Sequence, residues 1–249
     1  MQKDHGFPLV LAIVFFAKGL LGSDPLLAEE ESDTPTTSKM VARLESRNKE
    51  PGIRNSDLRP SFDAGFDWTE QRRVWNAIKD LIGAAASEWD SLTANIENKS
   101  YCISIETESG FFYNWTVGDV CRIIIARTLS EAYFRSLDPM TLEVYGEFRR
   151  PGFAREPEML KEWLQSRRKK SLAQLQAEAC DWAIDELSKR DDQNREHWIM
   201  AIRETARKLR DSGDTILFKG FGAEELWPCK SKEPDGADPF AAVPRPRES

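Results

Sequence analysis

The chain has 249 residues, of which 40% are hydrophobic and 31% are charged. This composition is typical of a globular protein and excludes a wholly disordered or membrane-embedded chain. The formal net charge of -7 at pH 7 gives no electrostatic support for nucleic-acid binding, which usually needs a basic surface. We therefore expect one domain or two small ones, and no nucleic-acid partner.

The first 28 residues have the layout of a secretory signal peptide. A short polar start with Lys3 precedes the apolar run FPLVLAIVFFA at residues 7–17, and Lys18 ends that run. Signal peptides carry an apolar region of roughly 7–15 residues here, whereas a spanning helix needs about 20 apolar residues. We predict that residues 1–28 are cleaved, that the protein is exported (periplasmic or secreted), and that the mature chain has no transmembrane span. An uncleaved anchor or a buried helix is the alternative.

Two polar segments flank the rest of the chain. Residues 29–61 include EEESDTPTTSK and RNKEPGIRNSDLRP, and residues 231–249 combine four prolines with mixed charge. Such segments bury too little apolar surface to offset the entropy that ordering them costs. We predict a flexible linker at 29–61, a single mainly helical domain at 62–230 and a disordered tail at 231–249.

Helical periodicity dominates the predicted domain. Asp67-Trp-Thr-Glu70 has the form of a capping box, and apolar residues then recur every three or four positions as far as Ile96. Similar patterns run over 116–138, 157–189 and 192–213, which makes about four long helices. The apolar seam of the third lapses at residues 165–170, so a continuous helix, a break and a projecting end all remain open.

Short alternating segments lie between the helical ones. Residues 101–106 alternate with the period of a strand, Ser109-Gly110 is a turn, and residues 111–115 read as a second strand whose aromatic side chains alternate into the core. A third alternating segment covers residues 140–148. The predicted fold class is therefore α+β, predominantly α-helical, with a small antiparallel sheet.

The four cysteines are compatible with export. An even number in an exported chain suggests two disulfides, and the absence of any C-x-x-C argues against a zinc ribbon, a redox motif or a haem attachment site. The hairpin returns the chain to its start, so we predict that Cys102 pairs with Cys121 and that Cys180 pairs with Cys229. The alternation of the strand opposes the first pairing, because it turns Cys102 away from the apolar face. Four unpaired thiols, some of them buried, are the alternative.

Residue types that usually perform catalysis are scarce. His197 is the one histidine beyond the predicted signal peptide, and no G-x-S-x-G nucleophile elbow is present. We predict no catalytic residues, no metal site and no cofactor. The alternative is a carboxylate-dependent hydrolase acting on an envelope polymer or glycan, with Glu106, Glu108, Asp119 and Glu131 as candidates.

The clearest charge asymmetry is a basic segment between Arg149 and Lys170. It has eight basic and three acidic residues, a local balance of +5 in a chain of -7. Such a segment is suited to phospholipid headgroups or an acidic polymer, and a solvated helix face is the alternative. We hypothesise a non-enzymatic exported protein that binds an unknown protein or an anionic component of the cell envelope or extracellular space. The candidate binding residues are Arg149, Arg150, Arg167, Arg168, Lys169 and Lys170.

Overall fold

The computed structural model describes residues 38–53, 60–106, 112–137, 150–191, 193–217 and 227–228. All of them belong to one compact unit, Pro35–Ser249. The predicted signal peptide, the third predicted strand and the predicted tail lie outside these residues. Within them, helices dominate and the strands are short and antiparallel, which confirms the predicted α+β, predominantly helical fold.

Within the described ranges, seven α-helices and five short strands follow one another along the chain. β1 pairs with β2, and β3 lies between β4 and β5 in a second sheet. A 3-10 helix at Gly152–Ala154 precedes α5. The bounds are α1 Lys39–Ala42, β1 Gly52–Ile53, β2 Pro60–Ser61, α2 Trp68–Gly83, α3 Trp89–Ala94, β3 Tyr101–Glu106, β4 Phe112–Thr116, α4 Val117–Phe134, α5 Pro157–Gln165, α6 Leu172–Ser188, α7 Arg195–Ser212 and β5 Trp227–Pro228.

Local sequence sets where the helices begin and end. The Asp67 carboxylate accepts from the backbone N–H groups of Thr69 and Glu70, as the predicted cap requires. Thr116 starts α4 through a capping box, because its hydroxyl accepts from the third helical N–H. Gly213 ends α7 in the left-handed region with φ 71°, a conformation that glycine adopts without a steric cost.

Two of the predicted long helices are broken. The first ends as α2 at Gly83 and resumes as α3 at Trp89, and the third separates into α5 and α6. The second break falls where the apolar seam lapses, since residues 168–170 are exposed and no burial would hold a helix there. Four helices of 16 to 18 residues remain (α2, α4, α6 and α7), in agreement with the predicted number.

Helix α4 is at the centre of the core. It packs against α3, α6, α7 and the β3–β4 hairpin, and its Ile124, Ile125 and Leu129 are fully buried. Its first turn lies directly on the preceding loop: a Cβ on Gly118 would stand 2.8 Å from the carbonyl oxygens of Ile96 and Asn98. Glycine is therefore required where α4 meets the α3–β3 connection.

Part of the predicted linker is packed into the core. Val41 on α1 and Leu44 just after it are buried, and the N–H of Ser46 donates to the carbonyl oxygen of Tyr101 at 3.0 Å. The prediction of a flexible linker over 29–61 is therefore wrong for residues 38–53. The scattered apolar residues of this segment have no recognisable period in the sequence. Two of them, Val41 and Leu44, are nevertheless buried, and their burial stabilises the packing of the segment against the core.

A partly buried ion pair fixes the same segment to α2. Glu70 accepts from both Nε and Nη2 of Arg73 at 2.7 Å and from the N–H of Arg47 at 2.9 Å. Arg73 also donates to the carbonyl oxygens of Arg43 and Glu45 at 2.8 and 2.9 Å. We call Glu70, Arg73 and residues 43–47 the α2 clamp.

The hairpin departs from simple alternation. Residues 102–105 of β3 are all buried, because both faces of this strand are covered, and the register shifts between Tyr101 and Ile103. In β4, Tyr113 is 48% exposed although it pairs with the buried Ile105. The expectation that the alternate aromatic side chains of β4 enter the core is therefore wrong for Tyr113.

The predicted disulfides are also wrong. Cys102, Cys121 and Cys180 are free thiols buried in the core, and Cys229 lies outside the described residues. Burial raises the pKa of the Cys102 thiol well above its usual value and raises that of Cys121 and of Cys180 to about 12. These cysteines pack as small apolar side chains, and burial disfavours the thiolate that disulfide formation needs.

Candidate functional site

The connection between α5 and α6 contains the four consecutive basic residues of the predicted binding segment. Helix α5 ends at Gln165, and a capping box of Ser171 and Gln174 starts α6. The residues between them form turns, with the N–H of Lys170 donating to the carbonyl oxygen of Arg167 at 2.8 Å. We call residues 166–170 the basic loop.

A single carboxylate faces the basic loop from α6. Glu178 accepts from Arg167 Nε with one oxygen and from Lys170 Nζ with the other. Arg168 and Lys169 are exposed and form no ion pair with another residue that the structure describes. Two of the four cations therefore pair with one carboxylate, and the five groups together carry three positive charges in excess.

Arg167 has a fixed position at the edge of the loop. Its guanidinium lies 4.6 Å from the ring centre of Trp163, and its Nη1 donates to the hydroxyl of Ser166 at 2.7 Å and to the carbonyl oxygen of Trp163 at 3.3 Å. Trp163 in turn stacks on Phe153 with ring centres 4.2 Å apart and planes 4° from parallel. Together with the bond to Glu178, these contacts hold the guanidinium in one orientation.

The donors of Arg167 are only partly used. Nε and Nη1 have acceptors, whereas Nη2 has none among the described residues. A guanidinium carries five N–H groups, of which two are on Nη2. The loop is also concave: residues 165–170 line a shallow pocket open to solvent. A fixed cation with two unused donors therefore lies beside a basic concavity.

Arg150 lies in a different electrostatic setting. Although Arg150 is exposed by surface area, desolvation by its neighbours is the largest effect that lowers its pKa, and the positive charges of Arg127 and Arg122 on α4 lower it further. Asp119 and Glu156 oppose this with smaller effects. Arg122 forms an ion pair with Asp119. The charges that act on Arg150 thus come from α4 and the start of α5, and none of the hydrogen bonds or ion pairs between described residues joins Arg150 to the basic loop.

Arg149 lies outside the described residues, as does Glu108 of the alternative hydrolase site. The other candidate carboxylates have structural roles or stand apart. Asp119 completes the cap of α4, Glu131 accepts from Arg135 Nε at 2.8 Å, and Glu106 lies at the end of β3. No pair of them converges in the part of the chain that is described, so the hydrolase alternative gains no geometric support.

Two further features bear on chemistry. His197 is exposed on α7, as a surface histidine would be. The described residues contain no group of three histidine, cysteine or acidic side chains that could hold a metal ion.

Sequence reasoning missed three residues of the site. Trp163 lies four positions before Arg167, a helical spacing that places two side chains on one face, so this contact had a detectable signal. Phe153 and Glu178 had none, since they reach the loop through the packing of the 3-10 helix and of α6.

Comparison with known proteins adds no second line of evidence. The chain matches no family model, no curated protein and no solved structure. Across the described ranges, none of the helices has the length and apolar character needed to cross a membrane.

Proposed function

We propose that this protein is exported and binds an anionic component of the cell envelope or extracellular space through the basic loop, without catalysing a reaction. The observation that carries the proposal is the charge imbalance of the basic loop: of its four consecutive cations, only Arg167 and Lys170 pair with a carboxylate that the structure describes, and both pair with the same one, Glu178. Two of those cations, Arg168 and Lys169, are exposed and have no ionic partner among the described residues.

Stability does not account for this arrangement. Exposed ion pairs contribute about 0–1 kcal/mol, and unpaired neighbouring cations repel one another. Each lysine or arginine close to an anionic surface contributes about 1 kcal/mol of attraction. Because the whole chain carries -7, a locally positive loop would also orient the protein with that loop towards an anionic surface.

Export is supported by the apolar run at residues 7–17, which has the length of a signal peptide rather than of a spanning helix. We expect the mature chain to begin near Glu29. N-terminal sequencing of the protein isolated from its natural cells tests this. An intact Met1 in a soluble cytosolic pool would contradict export.

Binding is tested by removing the two unpaired cations. We expect the double variant Arg168→Gln/Lys169→Gln to bind anionic vesicles at low salt more weakly by about 2 kcal/mol, roughly thirtyfold, because two surface charges are lost. Vesicle sedimentation over a salt series measures this. Urea unfolding should show a change in stability within about 0.5 kcal/mol.

The matched control is Arg72→Gln/Arg203→Gln. Both residues are exposed on helices, and neither forms an ion pair with another described residue. This variant has the same net charge as the first but an intact basic loop. Equal weakening of vesicle binding in the two variants, or no salt-sensitive binding by the unaltered protein, would contradict binding through the basic loop. The basic loop would then be only a solvated surface.

A further inference from the structure

We infer that the basic loop recognises a phosphoryl group, with Arg167 as the residue that distinguishes phosphate from carboxylate. This inference rests on the proposed function, because it names the chemical class of ligand that the same loop binds. Three features carry it: the fixed orientation of Arg167, its unused donors and the concave shape of the loop.

The orientation of Arg167 is set before any ligand arrives. Its guanidinium is stacked on Trp163 and bonded to Glu178 and Ser166. A side chain held in this way loses little conformational entropy on binding, whereas the exposed Arg168 and Lys169 must still be ordered. Arg167 therefore provides specific recognition, whereas Arg168 and Lys169 provide general electrostatic attraction.

The unused donors of Arg167 point to an oxygen-rich ligand. Both N–H groups of Nη2 are without an acceptor among the described residues, and Arg167 is one of the residues that line the concavity. Charge-assisted hydrogen bonds from a guanidinium to oxyanions are stronger than bonds between neutral groups.

Charge and shape favour phosphate over carboxylate. The loop has three positive charges in excess, and its charged side chains lie around a concavity rather than along a flat face. A phosphate monoester brings about -1.5 to -2 charges and three acceptor oxygens in a tetrahedral arrangement. A carboxylate brings one charge and two oxygens in a plane, so it would leave more of the cations without a partner.

The phosphoryl group has two possible sources, a lipid headgroup and free phosphate. The probes are vesicles of neutral lipid with added phosphatidic acid, vesicles of neutral lipid with added oleate at the same surface potential, and inorganic phosphate. Phosphatidic acid presents a phosphate monoester, and oleate presents a carboxylate. Equal surface potential removes non-specific attraction as a cause of any difference.

The decisive variant is Arg167→Lys, which keeps the charge but lacks the planar fork. We expect the unaltered protein to bind phosphatidic acid vesicles about tenfold more tightly than oleate vesicles, and the variant to bind the two kinds of vesicle with equal affinity. Arg203→Lys on α7 is the matched control and should keep the preference. Thermal unfolding verifies that both variants are folded.

The outcomes separate this inference from the proposed function. If the unaltered protein binds both kinds of vesicle equally and in a salt-sensitive way, phosphate recognition is overturned and anion binding stands. If Arg167→Lys keeps the tenfold preference, the role given to Arg167 is overturned. If it binds neither kind, both proposals fail. With the preference present, competition by inorganic phosphate shows that the free anion is sufficient. Absence of competition assigns the site to the headgroup at a surface.

Discussion

Two arginine–carboxylate groups in this molecule use charge in opposite ways. In the α2 clamp, Glu70 is 5% exposed, and Arg73 is bonded to it and to two backbone carbonyl oxygens. In the basic loop, Glu178 is shared by two of four cations and the site is open to solvent. A balanced pair with a buried carboxylate fixes a chain segment, whereas an unbalanced group with a partly exposed carboxylate keeps charge available for a ligand.

The largest expected effect breaks the balanced group. Glu70→Gln leaves the partly buried guanidinium of Arg73 without a counter-charge, so we expect the free energy of unfolding to fall by about 2 to 3 kcal/mol. Urea unfolding monitored by tryptophan fluorescence measures this. A loss below about 0.5 kcal/mol would mean that the α2 clamp does not fix residues 43–47.

The pH dependence of stability sharpens the same point. The hydrogen bond from Arg73 holds the pKa of Glu70 below its usual value of 4.5, against the opposing effect of burial. Because the pKa of Glu70 is lower in the folded state than in the unfolded chain, the ionised carboxylate stabilises the fold fully at a pH above 4.5. This stabilisation is lost as the pH falls through the lower pKa of the folded state.

We therefore expect the difference in stability between the unaltered protein and Glu70→Gln to be largest near neutral pH and to shrink as the pH falls below 4.5. Urea unfolding of both proteins across this range measures the difference. A difference that stays constant as the pH falls would contradict the role given to the ionised carboxylate.

The smallest expected effect on stability comes from the matching change in the basic loop. Glu178 and its partners are partly exposed, so Glu178→Gln should lower the free energy of unfolding by no more than about 1 kcal/mol. Binding to anionic vesicles should instead strengthen, by about 1 kcal/mol, because the excess of positive charge rises by one. A loss of stability as large as that of Glu70→Gln would mean that Glu178 stabilises the fold as much as Glu70 does. That result would contradict the difference drawn between the basic loop and the α2 clamp.

The sequence predicted the main elements because their signals are local. Helical periodicity over 16 to 18 residues, the caps at Asp67 and Thr116 and the glycine at the end of α7 each depend on residues within a few positions of one another. The basic loop was also recognisable, since four consecutive cations are visible in any sequence.

The errors fall where distant residues decide. Residues 38–53 were predicted to be a linker because the hydrogen bonds that fix them are made with Arg73 and Tyr101, which lie further along the chain. Burial on both faces of β3 and the unpaired state of Cys102 and Cys121 depend likewise on what packs against them. Periodicity within a segment carries no information about such partners.

The sequence by itself determined the fold class, the places where most helices begin and end, and the positive charge of residues 167–170. Tertiary structure alone decided which of those charges are neutralised. Glu178 reaches the loop because α6 follows it, and Arg167 is held because Phe153 and Trp163 stack beneath it. A charge is fixed by residue type, but its availability depends on neighbours that only the folded chain brings within contact distance.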